Sequence, residues 1–262
     1  MKIEVFNDWQ NTPKAFAEGE DSVLLSWDGE YRRGDTIKLS GILPDNFYMV
    51  KIDAVLEESL VYINRDTVIY TVPFFEKKTS MNPLAFFGNR HYISIRRAMD
   101  FEIKQYRNLA KNTFAQHEES GVYPYAYANV ETRGEAVFAA RNAIDGCLAT
   151  KGHGEWPYAS WGINRQDDAK LTIDFKTRVD IEEIRLYTRA DFPHDNWWVQ
   201  ARISFSDNSE ETLHMEKLVE KPHCFPIKKK SVSSVSLDRL IKADDPSPFP
   251  ALTQIEIYGC YS

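Results

Sequence analysis

Short runs of alternating apolar and polar residues, separated by turn-forming residues, recur along the chain and limit its fold more than any other feature. Successive side chains of a β-strand point to opposite faces, so such alternation predicts strands with one buried face. Their even spacing in residues 1–106 is typical of an antiparallel β-sandwich. The strands predicted there are Ile3–Phe6, Ser22–Trp27, Thr36–Ile42, Tyr48–Val55, Leu60–Asn64, Thr67–Val72, Tyr92–Arg97 and Phe101–Tyr106.

The chain of 262 residues is long enough for two domains of ordinary size. The pattern changes near Tyr106, so we predict an all-β protein of two tandem β-sandwich (jelly-roll) domains, residues 1–106 and 107–262. Three prolines make Ala243–Pro250 an irregular loop that presents Phe249. The strands predicted in the second domain are Ala169–Phe175, Ile181–Arg189, Trp198–Phe205, Glu211–Met215, Ser231–Leu237 and Gln254–Tyr258.

The composition excludes several classes of function. A net charge of −7 argues against nucleic acid as a partner, because binding to phosphates requires clustered Lys and Arg. The three cysteines lack CxxC spacing, which indicates neither a disulfide framework nor a zinc site. Neither a signal peptide nor a membrane-spanning run is visible, so we expect a cytoplasmic protein, or an extracellular one if a leader precedes this sequence. The composition leaves the oligomeric state open.

The stretch from Arg185 to Trp198 joins a predicted strand to a polar, aromatic loop. Alternation places Arg189 at the strand end, and the proline at 193 is expected to end the ladder because it lacks an amide proton. One of Trp197 and Trp198 is expected in the core, since neighbours on a strand face opposite ways. Arg189 has two interpretations, namely a binding residue or a local ion pair with Asp191.

Several segments, taken in order, resemble the coagulation-factor 5/8 type C, or discoidin, domain. They include NAIDG at 142–146, Trp161-Gly162, VDIEEIRLYTR at 179–189 and the closing LTQIEIYG at 252–259. The family 32 carbohydrate-binding modules share that galactose-binding-like fold. The resemblance covers residues 107–262 and implies the same fold for this part of the chain.

The resemblance also implies a site for galactose-type or N-acetylgalactosamine-type sugars. Binders of this family use a His with a Trp three residues later, then an Arg at a strand end and an Asn seven residues further on. The same spacing occurs here, and Phe249 stands where an aromatic platform is expected. The predicted sugar-binding residues are His153, Trp156, Arg189, Asn196 and Phe249, with His194 and Asp195 beside them.

Many members of the family hold a structural Ca²⁺ near the NAIDG loop. Asp145 and Thr150 resemble its ligands, which makes Ca²⁺ the candidate cofactor. Cys147 and Gln254, however, stand where an aspartate and a glutamate are usual. A hard cation prefers negatively charged oxygen ligands, so both departures weaken the site.

We predict a non-catalytic protein that binds a small saccharide or glycan. A glycosidase requires two carboxylates across a cleft, and no such pair is recognisable; GxSxG, HExxH and P-loop motifs are also absent. The alternative is a protein-interaction or accessory module of a carbohydrate-active system. Membrane binding is disfavoured, because the last loop carries Asp244 and Asp245 instead of basic residues.

Overall fold

The computed structural model describes residues 1–7, 9, 12–192 and 194–262, and its regular structure is almost entirely antiparallel β-sheet. The prediction of an all-β fold is confirmed. The strands are β1 Lys2–Asn7, β2 Ala15–Glu18, β3 Ser22–Asp28, β4 Asp35–Ser40, β5 Asn46–Lys51, β6 Ser59–Ile63, β7 Thr67–Thr71, β8 Arg90–Arg97, β9 Arg107–Asn108, β10 Val122–Tyr123, β11 Tyr125–Ala128, β12 Trp161–Gly162, β13 Leu171–Thr188, β14 Trp198–Phe205, β15 Glu210–His214, β16 His223–Lys242 and β17 Ala251–Tyr261.

The helices are short. The single α-helix among the described residues, α1, is Asp100–Lys104, and 3-10 turns occupy Phe75–Lys78, Thr132–Gly134, Ala136–Phe138 and Ala140–Ile144. No helix in this part of the chain is long and apolar enough to cross a membrane.

Two sheets in the first half enclose one hydrophobic core. The first sheet has the order β2-β1-β4-β7 and the second the order β10-β6-β5-β8-β3. Ile3 and Ile37 from the first sheet lie in one buried cluster with Val50 and Ile93 from the second. Burial alternates strictly along β3, where Leu25 is 5% exposed and its neighbour Leu24 is 61% exposed. The alternation in the sequence therefore does separate a core face from a solvent face.

The remaining strands form a third sheet in the order β12-β17-β13-β16-β14-β15, with β11 beside β13 and β9 beside β17. The long strands β13 and β16 change register between Asp174 and Glu183, as β-bulges do. Ile173 and Ile184, on either side of these irregularities, lie in the same core cluster. The bent sheet thus packs around a single core, which also contains Trp198.

The segment after residue 106 contacts both cores. Val122 pairs with Ile63 of the first half, and the Thr113 amide donates to the Ser59 hydroxyl at 3.1 Å. Phe114 belongs to the buried cluster of the first half. The division into domains at residue 106 stays a prediction, and the described residues connect the two halves by hydrogen bonds as well as by the chain.

Several element boundaries differ from those predicted. The predicted strand Phe101–Tyr106 is largely helix α1, because Glu102 accepts a hydrogen bond from the Met99 amide at 2.8 Å and satisfies the first helical turn. Strand β2 was not predicted. The strand predicted at 231–237 is part of the longer β16, which begins at His223, and the strands predicted at 169–175 and 181–189 are one strand, β13. The proline at 193, predicted to end the ladder, lies outside the described residues.

Adjacent leucines of β3 give a matched test of this sandwich. Leu25→Ala should lower the free energy of unfolding by about 2–5 kcal/mol, because it opens a cavity in the core. Leu24→Ala removes the same atoms from an exposed side chain and should change it by less than about 0.5 kcal/mol. Urea denaturation followed by circular dichroism measures both. Similar losses of unfolding free energy in the two variants would contradict the observed orientation of β3, with Leu25 in the core and Leu24 in solvent.

Candidate functional site

A small cavity of about 200 Å³ opens where several loops of the second half meet. Its lining combines two 3-10 turns, the turn that follows β12, and the loop that precedes β17. Two histidines from further loops complete it. The lining residues are Thr132, Arg133, Phe138, His153, Gly162, Ile163, Asn164, Arg165, His194, Pro248, Phe249, Pro250 and Ala251.

Aromatic rings form the walls of this cavity. The His194 ring lies 6.0 Å from the Phe138 ring and 6.2 Å from the Phe249 ring, centroid to centroid. The His153 ring is stacked near Phe138 at 6.2 Å, with an angle of 23° between the planes. Phe249 is 41% exposed, and the Arg165 guanidinium lies over its ring, 4.5 Å from the centroid. The cavity therefore offers apolar ring surface of the kind that binding sites use for contact area.

His194 carries an unsatisfied acceptor in this cavity. Its Nδ1 lies 2.9 Å from the Phe249 carbonyl oxygen, which can only accept, so Nδ1 must bear the proton. Burial, together with the positive charge of Arg189, lowers the pKa of His194 to about 4. The neutral ring then has a free lone pair at Nε2, which is buried and has no hydrogen-bond partner among the described residues. A buried acceptor in this state favours a ligand that donates a hydrogen bond.

Arg189 lies beneath the cavity instead of lining it. Its side chain is fully buried, and it pairs with Asp191 through Nε at 3.0 Å and Nη2 at 2.9 Å. Nη1 donates to the Tyr158 carbonyl at 3.0 Å, and Nη2 donates to the Gly152 carbonyl at 3.1 Å. The guanidinium thus holds the loop that carries His153. The local ion pair with Asp191, which the sequence left open, is present, and the geometry gives Arg189 a positioning role.

Asn196 is likewise buried and holds the other loop of the site. Its Nδ2 donates to the carbonyls of Ala243 at 3.3 Å, Asp245 at 3.3 Å and Ser247 at 2.6 Å. Its Oδ1 accepts the Trp197 amide at 2.7 Å. Both ends of the carboxamide are therefore used within the protein. The loop held in this way is the one that presents Phe249.

The structure separates the predicted sugar-binding residues into those that line the cavity and those that do not. His153, His194 and Phe249 line the cavity, whereas Arg189 and Asn196 stabilise its loops. Trp156 and Asp195 are both partly buried and are not among the lining residues. One tryptophan of the pair was expected in the core, and it is Trp198 that is fully buried, whereas Trp197 is partly buried.

Sequence reasoning missed Phe138 and the two arginines of the lining, Arg133 and Arg165. These three residues lie in 3-10 turns and a tight turn, where no periodicity separates a lining residue from a solvated one. A turn signal exists at Asn164 and Arg165, which adopt φ of 49° and 59°. Two consecutive residues in the left-handed region are uncommon unless they are glycine or asparagine, and the sequence alone does not show where they occur.

The residues near the NAIDG loop do not fit a calcium ion. The Gln254 amide nitrogen donates to the Asn142 carbonyl and, at 2.7 Å, to Asp145 Oδ1. A donor group therefore occupies the position between two oxygens that a cation would need. Burial raises the pKa of Asp145 to about 7, which disfavours the charged ligand. Thr150 is directed elsewhere, with its hydroxyl 3.5 Å from Asp191 Oδ1.

The metal environment can be tested directly. Removing divalent ions with EDTA, or adding millimolar Ca²⁺, should leave the melting temperature unchanged, because Gln254 supplies the hydrogen bonds that a cation would replace. Differential scanning calorimetry measures this. A rise of several degrees with Ca²⁺ would show a cation site and contradict the interpretation.

Arg189 provides a test of the scaffold beneath the cavity. Arg189→Ala should lower the free energy of unfolding by about 3–5 kcal/mol, because it leaves Asp191 and two carbonyls without their donor. The control is Arg97→Ala, whose ion pair with Asp21 spans 3.8 Å at the surface. That variant should lose less than about 1 kcal/mol. Chemical denaturation of both proteins measures the difference, and equal small losses would show that Arg189 is not a structural anchor.

Comparison with known proteins gives similarity in solved structures alone. No protein-family model matches the chain, and no curated protein matches it. The lectin domain of Lectinolysin complexed with Lewis B antigen is 18% identical over 57% of this chain and 94% of that chain, with a TM-score of 0.41. The chitosan-binding module 1 of a chitosanase/glucanase from Paenibacillus sp. IK-5 is 17% identical over 58% and 98%, with a TM-score of 0.40.

A third solved structure similar to this chain is the family 32 carbohydrate-binding module of C. perfringens NanJ in complex with galactose. It is 15% identical over 51% of this chain and 91% of that chain, with a TM-score of 0.38. All three of these solved structures are sugar-binding domains or modules.

Proposed function

We propose that this chain is a non-catalytic carbohydrate-binding protein and that its site is the cavity between Phe138 and Phe249. The observation that carries the proposal is the unpartnered Nε2 of His194, a buried acceptor on a residue that lines a cavity walled by aromatic rings. A sugar matches both features at once. Its C–H faces pack on aromatic rings, and its hydroxyl groups donate to an imidazole lone pair.

The dimensions of the cavity favour a short ligand. A volume of about 200 Å³ is below the range usual for sites that enclose drug-sized molecules. His153 and Phe249 are exposed at its edge, so a single ring can enter from solvent while the rest of a glycan remains outside. We propose a terminal galactose-type or N-acetylgalactosamine-type residue, the sugar class that the sequence resemblance implies, with His153 as the member of the His153-Trp156-Arg189-Asn196 set that lines the cavity.

The lining supports binding without catalysis. Among the described residues of the cavity wall there is neither Asp nor Glu. Hydrolysis of a glycoside ordinarily requires a carboxylic acid and a carboxylate on opposite sides of the scissile bond. The nearby Asp191 is already paired with Arg189, at 2.9 Å, and supports the loop.

Two exposed phenylalanines on neighbouring loops provide a matched test. Phe249→Ala should weaken binding of methyl β-galactoside roughly fivefold to tenfold, because it removes a stacking face worth about 1 kcal/mol. Phe192→Ala is the control, since Phe192 is 79% exposed and does not line the cavity. Titrations followed by NMR chemical shifts measure both affinities.

The same titrations separate the two functions that the sequence left open. A carbohydrate-binding protein shows saturable shifts near His194 and Phe249 with the sugar alone. Absence of any saturable shift with galactose-type sugars would contradict the proposal and favour a module that docks a protein partner. Equal losses in Phe249→Ala and Phe192→Ala would place the sugar elsewhere on the protein.

A further inference from the structure

The charge of the small cavity is opposite to that of the chain. The protein carries a net charge of −7, yet the described lining residues include two arginines and no acidic side chain. The wider cleft of about 770 Å³ nearby has a mixed lining in contrast, with acidic and basic side chains in equal number. Its charged lining residues, histidine aside, are Glu76, Glu118, Glu135, Lys77, Arg133 and Arg141. A local excess of positive charge is thus a property of the small cavity.

The two arginines of the small cavity differ in how much of their charge is compensated. Arg133 pairs with Glu135, with Nε to Oε1 at 2.5 Å and Nη2 to Oε2 at 2.9 Å. Arg165 has no carboxylate within ion-pair distance among the described residues. Its guanidinium carbon instead lies 4.5 Å from the centroid of the Phe249 ring. Arg165 therefore covers one face of the Phe249 ring, and its donors have no carboxylate partner among the described residues.

The backbone holds Arg165 at this position against its usual preferences. Asn164 and Arg165 have φ of 49° and 59°, so two consecutive residues adopt the left-handed region, which asparagine tolerates and which costs an arginine about 1–2 kcal/mol. The Asn164 amide donates to the Thr132 hydroxyl at 3.0 Å, which ties this turn to the 3-10 turn at 132–134. Strained residues that the surrounding structure holds in place are common at binding sites.

We propose that the ligand is an acidic saccharide whose anionic group is bound by Arg165. The proposal rests on carbohydrate binding at the same cavity. A carboxylate or sulfate presents oxygens that match the planar donors of a guanidinium. His194 cannot take this group, because its neutral Nε2 lone pair repels an anion. The ligand therefore places a hydroxyl donor at His194 and its negative charge toward Arg165.

The test compares three ligands on the full chain by NMR titration or calorimetry, namely methyl β-galactoside, galacturonic acid and galactose 6-sulfate. At low salt we expect at least one acidic sugar to bind roughly fivefold to tenfold more tightly than the neutral one. This ratio should fall at about 0.15 M salt, because screening weakens attraction between partly exposed charges. The acid that binds more tightly identifies the anionic group.

Two variants that each remove one positive charge show whether Arg165 causes the preference for acidic sugars. In Arg165→Gln the ratio of acidic to neutral affinity should fall close to one. Arg90→Gln is the control, because the Arg90 side chain is 88% exposed on the first sandwich and outside the cavity; it should keep the ratio of the parent protein. Heteronuclear NMR spectra of both variants verify that the fold is retained.

The outcomes distinguish this inference from the proposed function. Equal binding of neutral and acidic sugars, or a ratio that survives in Arg165→Gln, overturns the inference and leaves carbohydrate binding intact. If none of the three sugars binds, the proposed function is overturned and the inference with it. A preference for acid that is lost in Arg165→Gln and kept in Arg90→Gln supports both.

Discussion

The buried guanidinium of Arg189 is the interaction on which the geometry of the candidate site depends. Its bonds to the Gly152 and Tyr158 carbonyls tie the loop of His153 to the end of β13, and the Thr150 hydroxyl adds a longer contact, 3.5 Å from Asp191 Oδ1. Burying a charge is unfavourable unless it is paired and hydrogen-bonded, and Asp191 satisfies that condition with two further bonds. The loops at this end of the sheet are therefore positioned by a side chain that a ligand does not need to touch.

Asn196 has the same positioning role for the loop that precedes β17 and carries Phe249. Its carboxamide gathers three carbonyls of the loop before β17, a segment whose three prolines already restrict it. A proline-rich loop donates few backbone hydrogen bonds of its own, so an external donor is an effective way to fix it. The two walls that carry His153 and Phe249 are thus held by two polar side chains from the segment 189–196, and the cavity exists because both loops are fixed.

Period-two alternation in the sequence predicts much of the fold, as β3 shows. It predicts the residues of the candidate site only in part. The spacing of Arg189 and Asn196 leads to the end of the sheet where the cavity lies. It cannot show whether a long polar side chain at a strand end turns toward solvent or folds back beneath a loop, because that choice depends on carbonyls distant in sequence. Helix α1 was likewise mistaken for a strand, because the alternation pattern does not show that the Glu102 side chain accepts two hydrogen bonds from Arg96, at 2.8 and 2.6 Å. The position of Arg165 in the cavity lining is harder still to predict from the sequence, because it depends on a turn, where residues show no periodic pattern.

Arg189 also determines which chemistry His194 can perform. The imidazole is buried, and the positive charge beneath it adds to the effect of burial in lowering the His194 pKa to about 4. Near neutral pH the ring is therefore uncharged, and the Phe249 carbonyl fixes its proton on Nδ1. Nε2 is left as an acceptor on one lining residue of the cavity, while Arg165, another lining residue, supplies donors. A ligand bound between them is then recognised in one orientation, because its hydroxyl proton and its negative charge cannot exchange places.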